Sequence, residues 1–106
     1  MTNESVTAKG ASGAAYGFYV YPWGTDFKAI GGVYMVLHKG YQNGKYDVLY
    51  VGQTSDLSER LDNHHKKPCF DRNRKTHLAA MIESSEARRL NIEADLLRNY
   101  NPNCNS

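Results

Sequence analysis

GVYMVLHKGYQNGKYDVLYVG, residues 32–52, decides the fold of this chain. Two β-branched and aromatic runs, Val33–Leu37 and Val48–Val51, flank Gln42-Asn43-Gly44-Lys45, and Asn-Gly is the strongest short hairpin signal a sequence carries. The runs therefore read as paired antiparallel strands. A strict two-residue Asn43-Gly44 turn sets Leu37 opposite Tyr50 and sends Tyr34 to the other face. The two phenols share a face only if the connection is odd, for instance a three-residue loop with Gly44 left-handed and a bulge. A site built on both requires that bulge.

Downstream, Ser55-Asp56-Leu57-Ser58-Glu59 predicts the start of a helix, with Asp56 as cap and Glu59 three residues on as its capping-box partner. On that helix Leu57 and Leu61 make an apolar stripe, and Arg60 and His64 border it. Pro68 ends the helical region and leaves 66–75 as a loop. Residues 60–75 sum to +4, whereas the chain on either side of them sums to −1 each. Lys66, Lys67, Arg72, Arg74 and Lys75 are thus candidates for phosphate-backbone contacts, the alternative being a solvated connection. Thr76–Ile82 suits a strand, because Ser84-Ser85 then supplies the N-cap of a helix over Glu86–Tyr100. Its projection puts Ala87, Leu90, Ala94, Leu97 and Tyr100 on an apolar arc, with Arg88, Asn91, Asp95, Arg98 and Asn99 opposite. Glu93 falls inside that arc. A carboxylate there must be paired, protonated or bound to a cation, and an ion pair with Arg60 is the structural alternative to a functional role.

The N-terminal residues 1–15 are small and polar without periodicity and read as a mobile tail. Residues 16–106 read as one domain that opens with an aromatic arm over 16–30. In it Tyr19, Tyr21 and Trp23 alternate with Phe18 and Val20, and Pro22 argues for an edge strand. The aromatics suit base stacking, or cover for a sheet edge or dimer contact. Cys69 and Cys104 form no CxxC pair and read as free thiols. Hydrophobic residues at 41%, charged residues at 23% and a net charge of +2 exclude a disordered chain. No apolar run is long enough to span a membrane and no signal pattern opens the chain, so a cytoplasmic location is expected.

Phosphodiester hydrolysis needs an activated oxygen nucleophile, charge neutralisation at phosphorus and stabilisation of the leaving oxygen. Glu93 can hold Mg2+ or Mn2+, ions that take few protein ligands and keep several waters. Arg60 offers a planar fork to phosphate oxygens. His64 can donate to a phosphate or assist a base. Tyr34 or Tyr50 becomes a base only if a nearby cation lowers its pKa.

From about Gly31 to Asn105 the chain resembles the GIY-YIG nuclease family. The matches are Gly32-Val33-Tyr34, Tyr50-Val51-Gly52-Gln53-Thr54, Asp56-Leu57, Arg60-Leu61, His64, Glu93 with its short apolar helix, Tyr100, Pro102 and Asn105. Val33 and Val51 stand where the family's name has Ile, a near-isosteric change. The resemblance implies an α+β fold, a small three-stranded, mainly antiparallel sheet flanked by helices, with Thr76–Ile82 as its third strand. It implies a metal-dependent endonuclease acting on DNA, with a divalent ion held by Glu93. Tyr34 would help activate water, Tyr50 and Arg60 would bind the scissile phosphate, and His64 would support the site. Gly52 and Thr54 belong to the motif's structural support, and Asn105 would anchor the C-terminal turn. Specificity is left to the basic segment, the aromatic arm, a partner protein or a homodimer. The competing reading is a catalytically silent nucleic-acid-binding module with the same fold. A zinc domain using His64, His65 and Cys69 is disfavoured, because adjacent helical residues point about 100° apart.

Overall fold

The computed structural model describes residues 4–40, 44–59 and 64–105. In chain order they form β1 (Glu4–Lys9), β2 (Ala15–Pro22), β3 (Gly32–Lys39), β4 (Tyr46–Thr54), α1 (Lys67–Arg72), β5 (His77–Ile82) and α2 (Glu86–Tyr100), then a 3-10 turn at Asn103–Asn105. One antiparallel sheet runs in the order β1-β2-β5-β3-β4. The α+β class holds, but the sheet has five strands and not three.

The two added strands come from the N-terminal segment. The expected mobile tail contains β1, which pairs with β2 from Glu4↔Val20 to Lys9↔Ala15. Its alternation is hard to read because only Val6 and Ala8 turn towards the core, and both are small. β2 is consequently an interior strand, not an edge. Pro22 lies beyond Val20, the last β2 residue paired with a described residue of β1, and pairs with His77 of β5.

Alternation along the central strands builds a core on each sheet face. On one side Phe18, Val20, Val33, Met35, Val51 and Ala79 pack under Ile92 and Leu96 of α2. On the other, Tyr34, Val36, Leu49 and Leu78 pack with Leu57, Phe70 and Cys104. The β3–β4 register carries the bulge that a shared phenol site requires. From Lys39↔Tyr46 to Leu37↔Val48 it follows the turn, then shifts between Val36 and Leu37, so that Val36 faces Tyr50 and Tyr34 faces Gly52. Leu49 is the extra residue, and both it and Tyr50 belong to the second core. The bulge therefore sits within the strands, not beside the turn. Gly44 is left-handed, with φ of 65°, while Gln42 and Asn43 lie outside the described residues.

The helices depart further from expectation. Residues 55–59 are turns and not a helix. Asp56 accepts hydrogen bonds from the Ser58 backbone N–H and hydroxyl, and the Leu57 N–H donates to Ile30 O at 2.8 Å. An Asx-type turn has taken the cap residue, as short polar side chains often do. A helix occupies the basic segment instead. Pro68 opens α1 rather than ending a helix, since its missing N–H is no loss in a first turn. Ser85 caps α2 as expected, accepting from Arg88 N. The buried stripe of α2 is turned towards Arg89, Ile92 and Leu96, leaving Leu90 45% exposed. The expected arc fails because Arg89 is buried with its polar atoms satisfied, donating to Gln53 Oε1 and to the carbonyls of Glu83 and Ser84. Asp95, expected on the solvent side, is buried under the N-terminal hairpin. It accepts from Ser12 N, the Ser12 hydroxyl and the Tyr16 hydroxyl. Nor are the thiols free: Cys69 of α1 and Cys104 of the C-terminal turn form a disulfide, with Cα atoms 5.8 Å apart.

Among the described residues no helix is long and apolar enough to cross a membrane.

Candidate active site

The motif residues meet at the outer end of β3 and β4. Across the ladder Tyr34 pairs with Gly52 and Val36 with Tyr50, which puts the two phenols on one face with ring centroids 6.0 Å apart. Gly52 makes this possible. A Cβ there would stand 2.7 Å from the Tyr34 ring and hydroxyl and 2.8 Å from the Tyr50 ring, inside any tolerable contact.

His64 completes the cluster from the other side. Its ring lies 5.0 Å from Tyr50 and 5.3 Å from Phe70, and Phe70 stands 5.4 Å from Tyr50. The Lys66 backbone N–H donates to His64 Nδ1 at 3.0 Å, so the neutral ring carries its proton on Nε2. Nε2 faces the Tyr34 hydroxyl at 3.2 Å and donates to it. Burial, together with the charges of His65 and Lys66, holds the imidazole pKa below its ordinary value, which keeps this tautomer neutral near pH 7. The Tyr50 ring stacks on Tyr34. The hydrogen-bonded chain thus runs from the Lys66 amide through His64 to Tyr34. His64 and His65 stack with centroids 4.5 Å apart, contrary to the divergence expected of helical neighbours, because neither residue is in a helix.

Glu93 approaches from α2 at the free edge of β4, beside the Gln53 backbone N–H. Two residues earlier on that strand the Asn105 side chain clamps Val51, accepting from Val51 N at 2.8 Å and donating to Val51 O at 2.9 Å. Alternate outward groups of the edge strand are thereby covered by side chains from the C-terminal region. Thr54 shapes the turn after β4 through its hydroxyl, which donates to Asp56 O and accepts from Asp56 N. Glu93 is half-buried, and desolvation raises its carboxyl pKa against the lowering effect of the Gln53 N–H. No ion pair to it is present among the described residues. Arg60, the partner that an ion pair would need, lies outside them.

Burial raises both phenol pKa values. For Tyr34 the proximity of Tyr50 and Glu93 adds to the rise, and for Tyr50 the Glu93 charge does so. A carboxylate near two protonated phenols, with no described cation beside it, is a site whose electrostatics favour added positive charge. No group of three or more His, Cys, Asp or Glu side chains placed to hold a metal gathers here or elsewhere among the described residues.

The five basic candidates surround α1. Lys67 and Lys75 both pair with Asp71, at 2.9 and 2.5 Å, and Lys75 also lies over Trp23, 5.1 Å from the ring centroid. Arg72 and Arg74 are exposed. Three features of this site had no readable signal in the sequence: Phe70 beneath His64, the approach of Glu93 to Gln53 at the β4 edge, and the disulfide that joins α1 to the turn bearing Asn105.

The model of a family described as the GIY-YIG catalytic domain matches residues 30–105. Comparison with curated proteins and with solved structures finds no match for this chain.

Proposed function

Because this chain belongs to the GIY-YIG family, a family of nucleases, we propose that it is an endonuclease that hydrolyses DNA phosphodiesters with a divalent cation, Mg2+ or Mn2+. The observation that carries this reading is the convergence of Tyr34, Tyr50 and His64 with the half-buried carboxylate of Glu93. A silent binding module would have no use for a half-buried carboxylate set beside two buried phenols with no described cation to pair it.

The donor set fits a hard cation. Glu93 is a desolvated oxygen ligand with its charge unneutralised by any described residue, and Mg2+ or Mn2+ accepts one carboxylate while keeping waters and substrate phosphate oxygens. When bound, the ion would supply charge neutralisation and Lewis acidity at the phosphate.

The chain's own residues then divide the work. His64 Nε2–H holds the Tyr34 oxygen in place and steadies it when its proton leaves. With positive charge added at the site, Tyr34 would lose its proton to solvent, and the resulting phenolate would take the proton of the attacking water and return to the phenol, the role of a general base whose pKa is set by local charge. Tyr50, stacked on Tyr34 and packed on Phe70, presents its hydroxyl to a phosphate oxygen. Arg60 is the candidate guanidinium for the same phosphate. Exposed Arg72 and Arg74 serve the duplex backbone.

The test is incubation with supercoiled, branched and single-stranded DNA in Mg2+, Mn2+ or chelator. Nicked or linear product that appears only with a cation supports the proposal, and intact DNA under every condition refutes it.

A further inference from the structure

The family match begins at residue 30, yet residues 4–29 are not an appendage: they supply two strands of the sheet and one wall of a cleft. The cleft, of about 480 Å³, lies over β2 and β5 and is lined by Tyr19, Tyr21, Phe27, Leu57, Ala80 and Ile82. Its position follows from register. Tyr19 pairs with Ala80, and Ala80 pairs with Tyr34, and partners across a ladder share a face. Tyr19 therefore stands on the same face as the catalytic phenol, two strand spacings or about 10 Å away, with only an alanine between them. Leu57 belongs both to the cleft wall and to the core cluster around Tyr34. The cleft and the active site thus share one sheet face, with the Leu57 side chain as a common wall.

Its chemistry is that of a stacking platform. Tyr21 is held edge-on by Phe27, with centroids 5.0 Å apart, whereas Tyr19 is 58% and Ile82 69% exposed. The small side chain of Ala80 leaves room between them. The charged residues among the lining are one of each sign, Asp26 and Lys28, so the charge there is balanced and selection falls to the apolar surface. The volume is that of a small-ligand cleft. A stable protein interface needs about 800 Å² per partner, far more than the exposed faces of Tyr19, Ile30 and Ile82 present.

Resting on the nuclease reading above, we propose that this cleft takes an unpaired nucleobase of the DNA strand adjacent to the phosphate at Tyr34, stacked between Tyr19 and Ile82. The substrate class that follows is DNA with unpaired nucleotides at the cut, as in a gap or flap. In intact duplex the bases are already stacked on each other and cannot enter. The N-terminal hairpin is then the specificity element of this chain.

The experiment measures binding without cleavage. Glu93→Gln protein is titrated with end-labelled duplex, with the same duplex carrying a short gap, and with an oligo-dT single strand, followed by fluorescence anisotropy. Tyr19→Ala, Tyr19→Phe and Ile82→Ala are then added to that background. Tyr19 and Ile82 are exposed, and melting curves check that each variant is folded. Gapped DNA binds more tightly than duplex. Tyr19→Ala removes that preference, weakening gapped-DNA binding roughly 5- to 150-fold as expected for one stacked base, and Tyr19→Phe retains it. Equal affinity for gapped and intact DNA, or no effect of Tyr19→Ala on a folded protein, overturns the proposal. So does a concentration-dependent dimer that Tyr19→Ala dissolves without any change in DNA affinity, which would assign the cleft to a second copy. Cleavage by the wild type is scored separately. DNA cut normally with no Tyr19 effect sinks the cleft alone, while Tyr19-dependent binding with no cleavage sinks the nuclease reading alone.

Discussion

Gly52 and Tyr34 face each other across the β3–β4 ladder so closely that a Cβ on Gly52 would meet the Tyr34 hydroxyl at 2.7 Å. The glycine of the second motif is therefore a condition for the tyrosine of the first. Gly52→Ala must displace one phenol or the strand pairing, at a stability cost of about 1–3 kcal/mol. Because it breaks the Tyr34–His64 contact, the variant loses cleavage by about 100-fold or more. A thermal melt and a rate on the same preparation check this. Full activity would show that the phenol pair is not needed.

The Cys69–Cys104 disulfide closes a sequence separation of 35 residues and ties α1, which carries Phe70, to the turn that carries Asn105. Loop-closure entropy over that span is worth about 4 kcal/mol in the chain-entropy account. Cys104→Ser, or reduction of the wild type, is expected to lower the melting temperature substantially. It also loosens His64 and Tyr50, both packed on Phe70, and so lowers activity. Mass spectrometry of the native protein with and without alkylation establishes whether the thiols are joined.

Asp95 latches the β1–β2 hairpin to α2. Hydrogen bonds from the Ser12 hydroxyl first, then the Tyr16 hydroxyl and Ser12 N–H, hold its carboxyl below the ordinary pKa. A depressed acid stabilises the fold above its unfolded pKa of about 3.9 and loses that contribution as pH falls through the lower folded value. Asp95→Ala is expected to expose residues 4–14 to limited proteolysis at neutral pH and to flatten the acid limb of the stability curve. The active-site phenols belong to the other core cluster, so cleavage of flexible single strands should survive. Protection equal to wild type would remove the latch.

Arg72 and Arg74 are exposed, whereas Lys67 and Lys75 share Asp71. Changing both arginines to Gln should weaken binding to duplex DNA and reduce the slope of log K against log salt by about 0.9 for each phosphate that is no longer neutralised. An unchanged slope would make this part of α1 and its following turn a solvated surface only.

Much of the site is legible in the sequence because its signals are local. Asn43-Gly44 declares the hairpin, Ser85 declares the start of α2, and the need for a bulge between Tyr34 and Tyr50 follows from a period of two. The unread parts depend on partners distant in sequence. Val6 and Ala8 look like tail residues until β2 pairs with them. Arg89 looks like a surface residue until Gln53 and two carbonyls receive it, and that single burial turns the stripe of α2 away from Leu90. Pro68 reads equally well as the end of one helix or the first turn of another. A lone cysteine pair at such separation says nothing about its pairing. The desolvation of Glu93 is legible from its neighbours on the helix, though its real position is against the edge of β4, beside Gln53, and not within the expected arc.

The central claim is that Glu93 serves a cation and not the fold. Its raised pKa means that the folded state binds the proton more tightly than the unfolded chain. Stability should therefore fall as pH rises from the unfolded value of about 4.3 through the folded one. Glu93→Gln removes that penalty, so the variant melts no lower than wild type at neutral pH. The most direct measurement is single-turnover cleavage by wild type and Glu93→Gln, with DNA binding recorded on the same samples in Mg2+. The expected result is comparable DNA affinity, an intact melting transition and a cleavage rate lowered at least about 100-fold. Undiminished cleavage by Glu93→Gln, or its loss together with a collapsed melting temperature, would contradict it.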